Sequence, residues 1–152
     1  MNTRLRKQIA MKRIQITPLD DFFSADEIQF IKEKFATPHE CHKNCIEFGW
    51  YYKKINENIR FVAVSLAEAN NKPVGGLAHA LVKIEEKYFD LMQNHFTTFY
   101  VDYEYTLDEI TEICENEGQY IIPFVPRRDH ITRKWYRYRG LVKEFVDITD
   151  IL

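Results

Sequence analysis

The sequence lacks any apolar run near the roughly 20 residues that a membrane-crossing helix needs, which argues against a membrane function for the 152-residue chain. It also lacks a stretch rich in Gly, Ser or Pro, because only five glycines and five prolines are spread along it. Without a linker, an internal repeat or a low-complexity tract, a single domain over 1–152 is expected. Excess charge of one sign is missing too. A formal net charge of −2 at pH 7 indicates no global attraction to nucleic acid or to an anionic membrane. Cysteines number three. That odd count, with no signal-peptide pattern in the basic stretch 1–13, argues against a disulfide framework and for reduced thiols in a cytoplasmic setting.

What is present is an ordinary globular balance, 45% hydrophobic and 29% charged, with eleven Phe and nine Tyr. Aromatic side chains bury large areas, so a well-packed core is expected, with aromatics to spare for a cleft. Residues 1–13 read as a flexible basic arm or a loosely paired first strand. Ser24-Ala25-Asp26-Glu27 is a capping-box pattern and predicts a helix carrying Ile28, Ile31 and Phe35, which Pro38 ends. A second helix is expected from about His42 to Lys54, with Cys41, Cys45, Phe48 and Tyr52 on one stripe.

The pattern then changes to period two. Arg60–Leu66 reads as a buried strand, and Asn70–Gly76 as a loop. Leu77–Ile84 and Lys87–Leu91 read as a hairpin around Glu85-Glu86, and His95–Tyr105 as a further strand. Thr106–Glu109 is a second capping box, with Gly118 placed to close its helix. Short strands are expected at Tyr120–Val125 and in the basic tail. The order implies an α+β fold, an antiparallel sheet with N-terminal helices packed on it.

Three residues on these elements suggest chemistry. Cys41 lies at the start of a helix, where unpaired amides and the helix dipole favour a thiolate. His79 enters a strand among small residues and is the candidate base. Asp90 would orient it. If Glu85-Glu86 is a two-residue loop, paired residues sum to 171, Val82 faces Phe89, and Asp90 shares a sheet face with His79. A three-residue loop without a bulge would separate them.

Cys41-His42-Lys43-Asn44-Cys45, His79-Ala80-Leu81-Val82 and Lys87-Tyr88-Phe89-Asp90-Leu91 together resemble the transglutaminase-like branch of the papain-like superfamily. The likeness spans about residues 38–92, with Leu81 where that family commonly has Trp and Asp90-Leu91-Met92 where it has Asp-Pro-Thr. It implies a papain-like core with Cys41 as nucleophile, His79 as base and Asp90 as orienter. The implied activity is thiol-dependent hydrolysis or acyl transfer on a protein, peptide or small amide, without a cofactor.

Other groupings compete. His39, Cys41, His42 and Cys45 are dense enough to suggest a metal, but C-x3-C without a second pair falls short of four converging ligands. No metal is expected. Arg127, Arg128, Arg133, Lys134, Arg137 and Arg139 interleave with Trp135, Tyr136 and Tyr138. Arg127, Arg128 and Trp135 could select acidic substrates. The same segment defines an alternative function, a non-catalytic module binding nucleic acid, a phosphorylated ligand or an acidic protein. An exposed, charge-protected edge strand is the preferred reading of it. Asp102 and Glu104 are expected to be solvated sheet charges, and His95 and His130 are given no role.

Overall fold

Ser24 and Thr106 begin helices where their capping boxes predict them. The computed structural model describes residues 12–53, 58–74, 79–92 and 96–123, and the backbone of three strands between Arg127 and Asp147. In helix α1 (Ala25–Lys34) the Ser24 hydroxyl accepts from the Glu27 amide, and the Glu27 carboxylate accepts from the Ser24 amide. Thr106 and Glu109 make the same exchange at α3 (Leu107–Glu117), which Gly118 closes in the left-handed region at φ 67°.

Between them lies α2 (Cys41–Tyr52), which has no side-chain cap. Its predicted stripe is real: Cys45, Phe48 and Tyr52 are buried, while Cys41, at the first position, is partly exposed. The stripe packs on the sheet, and the Cys45 thiol donates to the Ala80 carbonyl at 3.5 Å. Gly49 lets the helix lie close, since a Cβ there would collide with the ring of the buried Phe61.

At the centre of the main sheet is β2 (Arg60–Ala69), flanked by β4 (His79–Ile84) and β6 (Thr98–Thr106). Strand β1 (Lys12–Gln15) pairs with β6, and β5 (Lys87–Phe89) pairs with β4; all these pairings are antiparallel. Register shifts around Val64 interrupt the β2–β6 ladder, and such irregularities raise local twist. Ile16 bridges Tyr88, and the Thr17 amide donates to the Tyr88 carbonyl at 2.8 Å. The sheet therefore curls until the chain after β1 meets β5. Phe61, Val82, Ile84 and Phe89 on one face pack against the helices. Val62, Val64, Leu81 and Phe99 on the other face form a second cluster. Burial on both faces explains the near-continuous apolar runs of β2 and β4.

Three expectations are corrected. Asn70–Gly76 is not all loop: Asn70 and Asn71 take φ of 51° and 62°, and β3 (Lys72–Val74) returns along β2. Asparagine tolerates this left-handed pair, and proline is tolerated on a strand with one neighbour. Residues 120–123 of the expected Tyr120–Val125 strand are irregular, because the Ile122 amide donates to a side chain, His42, at 3.1 Å. Finally, β7 (Arg127–Arg128), β8 (Trp135–Arg139) and β9 (Glu144–Asp147) form a three-stranded sheet with β8 in the middle. Trp135–Arg139 is thus no edge strand along its whole length: β7 pairs with Trp135 and Tyr136 on one side, and β9 with Tyr136–Arg139 on the other.

The hairpin register is the one a two-residue loop dictates, with Val82 opposite Phe89 and Ile84 opposite Lys87. Glu85 and Glu86 take φ of 50° and 66°, a conformation that Asn-Gly adopts more cheaply than two glutamates. Replacing them together, Glu85→Asn with Glu86→Gly, should stabilise the fold by about 1 kcal/mol in urea unfolding. The Lys83–Glu86 pair lost in the exchange contributes little, because the Glu86 side chain is 84% exposed. Gly49→Ala should act the other way. Helix propensity alone favours alanine by about 1 kcal/mol, but overpacking against Phe61 costs up to about 3 kcal/mol and should leave a net loss of up to about 2 kcal/mol in the same assay.

Candidate active site

His79 is the first residue of β4, opposite Val64 of β2. Its imidazole stacks on Phe99 with ring centroids 5.7 Å apart, and its Nε2 lies 2.9 Å from Asp90 Oδ2. Asp90 follows β5 directly and is 4% exposed. A buried carboxylate is costly unless its oxygens are satisfied, and the second oxygen, Oδ1, accepts the Met92 amide at 3.0 Å.

Helix α2 ties into the same turn. The Asn44 side-chain amide donates to Met92 Sδ at 3.0 Å and to the Thr37 carbonyl at 2.9 Å. Its oxygen accepts the Thr37 amide at 3.3 Å. Asn44, itself buried, thus joins the approach to α2 with the turn that carries Asp90. The start of the helix is held beside the start of β4.

Cys41 sits at that junction, within hydrogen-bonding reach of His79 and of His42. Burial pushes its thiol up, but the hydrogen-bonding and charge effects of His42 and His79 together outweigh burial and lower it to about 6. For His79 burial pulls the other way, and the bonds to Asp90 and Cys41 raise it to about 9. The two shifts run in opposite directions, the thiol down and the imidazole up, and each group is among the causes of the other's shift. Because Asp90 occupies Nε2, the nitrogen left for Cys41 is Nδ1.

Cys41, His79 and Asp90 are therefore brought together. A thiol, an imidazole and a carboxylate in such a row can supply a nucleophile, a proton carrier and a group holding the carrier's orientation. Cys45, one turn on, differs in kind: fully buried, its thiol is pushed well above the ordinary range. Among the described residues no group of three or more His, Cys, Asp or Glu converges as metal ligands.

Arg127, Arg128 and Trp135 lie on β7 and β8, but their side chains fall outside the described residues, as do His95 and His130. Asp102 is buried rather than solvated, sitting where the β2–β6 register shifts. Glu104 accepts from Lys83 at 3.2 Å and from the Tyr88 hydroxyl. Sequence reasoning weighed His42 only as a metal ligand and passed over Asn44. Adjacency to Cys41 was the one signal for His42, and Asn44 offered none.

The paired shifts have a consequence for stability. In the unfolded chain imidazole titrates near 6.5 and thiol near 8.5. Between these values the folded and unfolded pair each hold one proton, so the pair adds no pH slope. Cys41→Ala breaks that balance. There Asp90 alone acts against burial to raise His79, and the stabilisation that this rise brings is complete below about pH 6.5 and lost as pH rises through the folded value. The wild-type advantage over Cys41→Ala should therefore grow from pH 6.5 to 8.5, by up to about 1.4 kcal/mol per unit. Urea unfolding at three pH values measures it, and a constant difference would mean that Asp90 does not keep His79 raised without Cys41.

Among the described residues no helix is long and apolar enough to cross a membrane. No family model matches the sequence, and neither a curated protein nor a solved structure gives a match.

Proposed function

We propose that the chain is a thiol-dependent hydrolase or acyltransferase on a papain-like, transglutaminase-like core, acting on an amide or ester bond. The observation that carries the reading is the meeting at His79 of two partners. Asp90 is 2.9 Å from Nε2, and Cys41 is in reach of the same ring.

In this mechanism the Cys41 thiolate donates an electron pair to the carbonyl carbon of a protein, peptide or small amide. The carbonyl π pair moves to oxygen. When the tetrahedral intermediate collapses, the C–N bond breaks and the His79 imidazolium gives its proton to the departing amine. Water or a second amine then attacks the thioester while His79 accepts the proton. The C–S bond breaks and the thiolate returns. Asp90 keeps the ring aimed and stabilises its positive form.

Labelling by iodoacetamide across pH 4 to 9, with sites assigned by mass spectrometry, tests the pair. Cys41 should react with a midpoint near 6 rather than the usual 8.5 or so. In His79→Ala the midpoint should move up. Cys45 should stay unlabelled in the folded protein. Slow labelling of Cys41, or a midpoint indifferent to His79, would sink the reading and leave a binding module on 127–139 as the alternative.

A further inference from the structure

A cavity of about 760 Å³ opens where the end of α2, the first residue of β2 and the start of α3 meet. Cavities of roughly 300–1,000 Å³ suit small molecules. This one lies apart from the thiol. Its wall residue Trp50 comes nine positions after Cys41, about 14 Å along the helix at roughly 1.5 Å per residue. The frame around it is regular structure. Arg60 and Thr106 are paired in the β2–β6 ladder, and Thr106 is also the N-cap of α3. Across the gap the Trp50 indole donates to the Thr111 hydroxyl at 3.1 Å and lies against the Tyr120 ring, with centroids 5.8 Å apart. Those two contacts fix the indole as a wall.

The polar side chains in the lining are rich in donors. Lys53, at the C-cap of α2, and Arg60 supply positive charge. Arg60 gives one N–H to the Ile59 carbonyl at 3.4 Å, and among the described residues neither cation is paired with a carboxylate. The Thr106 and Thr111 oxygens each accept an N–H, from Glu109 and Trp50. Each hydroxyl therefore keeps its own hydrogen to donate. Asp108 is the one anionic side chain among the described lining residues.

A ligand matched to this lining brings negative charge to Lys53 and Arg60, hydroxyl donors to Asp108, and a flat apolar part to Trp50 and Leu107. A sugar phosphate lacks the flat part, and a plain aromatic carboxylate lacks the hydroxyls. A nucleotide has all three. One phosphate monoester carries about −1.5 to −2 at pH 7, which the two cations neutralise, whereas a triphosphate exceeds them. We propose that this cavity binds a nucleoside monophosphate, with its phosphate on Lys53 and Arg60, its ribose on Asp108 and its base against Trp50. The site is independent of the thiol chemistry.

Titration of the full chain with adenosine monophosphate, followed by nitrogen-15 NMR, is the test. The Trp50 indole N–H and the amides of Lys53, Arg60 and Thr111 should shift together and saturate, while signals from 127–139 stay in place. Adenosine and inorganic phosphate, titrated separately, should each bind at least about tenfold more weakly. Lys53→Met should weaken nucleotide binding about tenfold and leave adenosine binding unchanged. Lys53 is exposed, so its loss should not disturb folding.

Shifts confined to 127–139, or no shift at millimolar nucleotide, would overturn the proposal. Equal affinity for inorganic phosphate would overturn it too, leaving an adventitious ion only. So would nucleotide binding indifferent to Lys53→Met. Alkylation of Cys41 reports separately on the thiol-enzyme reading, and neither result decides the other.

Discussion

The hydrogen bond between the buried His79 and Asp90 constrains everything around it. A carboxylate 4% exposed is tolerable in a protein interior only with both oxygens served. The imidazole and the Met92 amide serve them, and each depends on a different part of the chain. The imidazole arrives by the register of the β4–β5 hairpin, set by two glutamates in left-handed conformations. The Met92 turn is secured from outside the sheet, by the side chain of Asn44 in α2. Strain at one end of the hairpin and a side-chain tie at the other hold one 2.9 Å contact.

From that contact the helix follows. Asn44 and Cys41 stand three residues apart on α2, so both face the same junction. Anchoring Asn44 to Thr37 and Met92 brings Cys41 to His79 without a side-chain cap to steer the helix start. Gly49 and the buried Cys45 complete the seating, one by leaving room for Phe61 and the other by bonding to Ala80. The curl of the sheet has a part as well. It gives Phe99 the position from which its ring supports the imidazole.

Much of this was legible beforehand, for identifiable reasons. Capping boxes, the Cys45–Phe48–Tyr52 stripe and the Gly118 stop are local, since each depends on residues within one or two turns. The hairpin register followed from loop length, which leaves few geometries. What escaped depended on distant partners. Asn70-Asn71 looked like the middle of a loop because β3 is short and its pairing is visible only beside β2. Trp135–Arg139 alternated like an exposed edge, and only β7 and β9 show it to be a middle strand. His42 meets an amide 80 residues away, which no window along the chain contains.

The sequence by itself determined the α+β class, the starts of the helices, and the two-residue turn that puts His79 and Asp90 on one face. These follow from backbone geometry and side-chain period, which act over a few residues. Tertiary structure alone decided that Cys41 meets His79, that Asn44 links the helix to the Asp90 turn, and that His42 accepts the Ile122 amide. Those outcomes turn on which buried donor finds which acceptor. Only packing separate elements against one another brings such groups within hydrogen-bond distance.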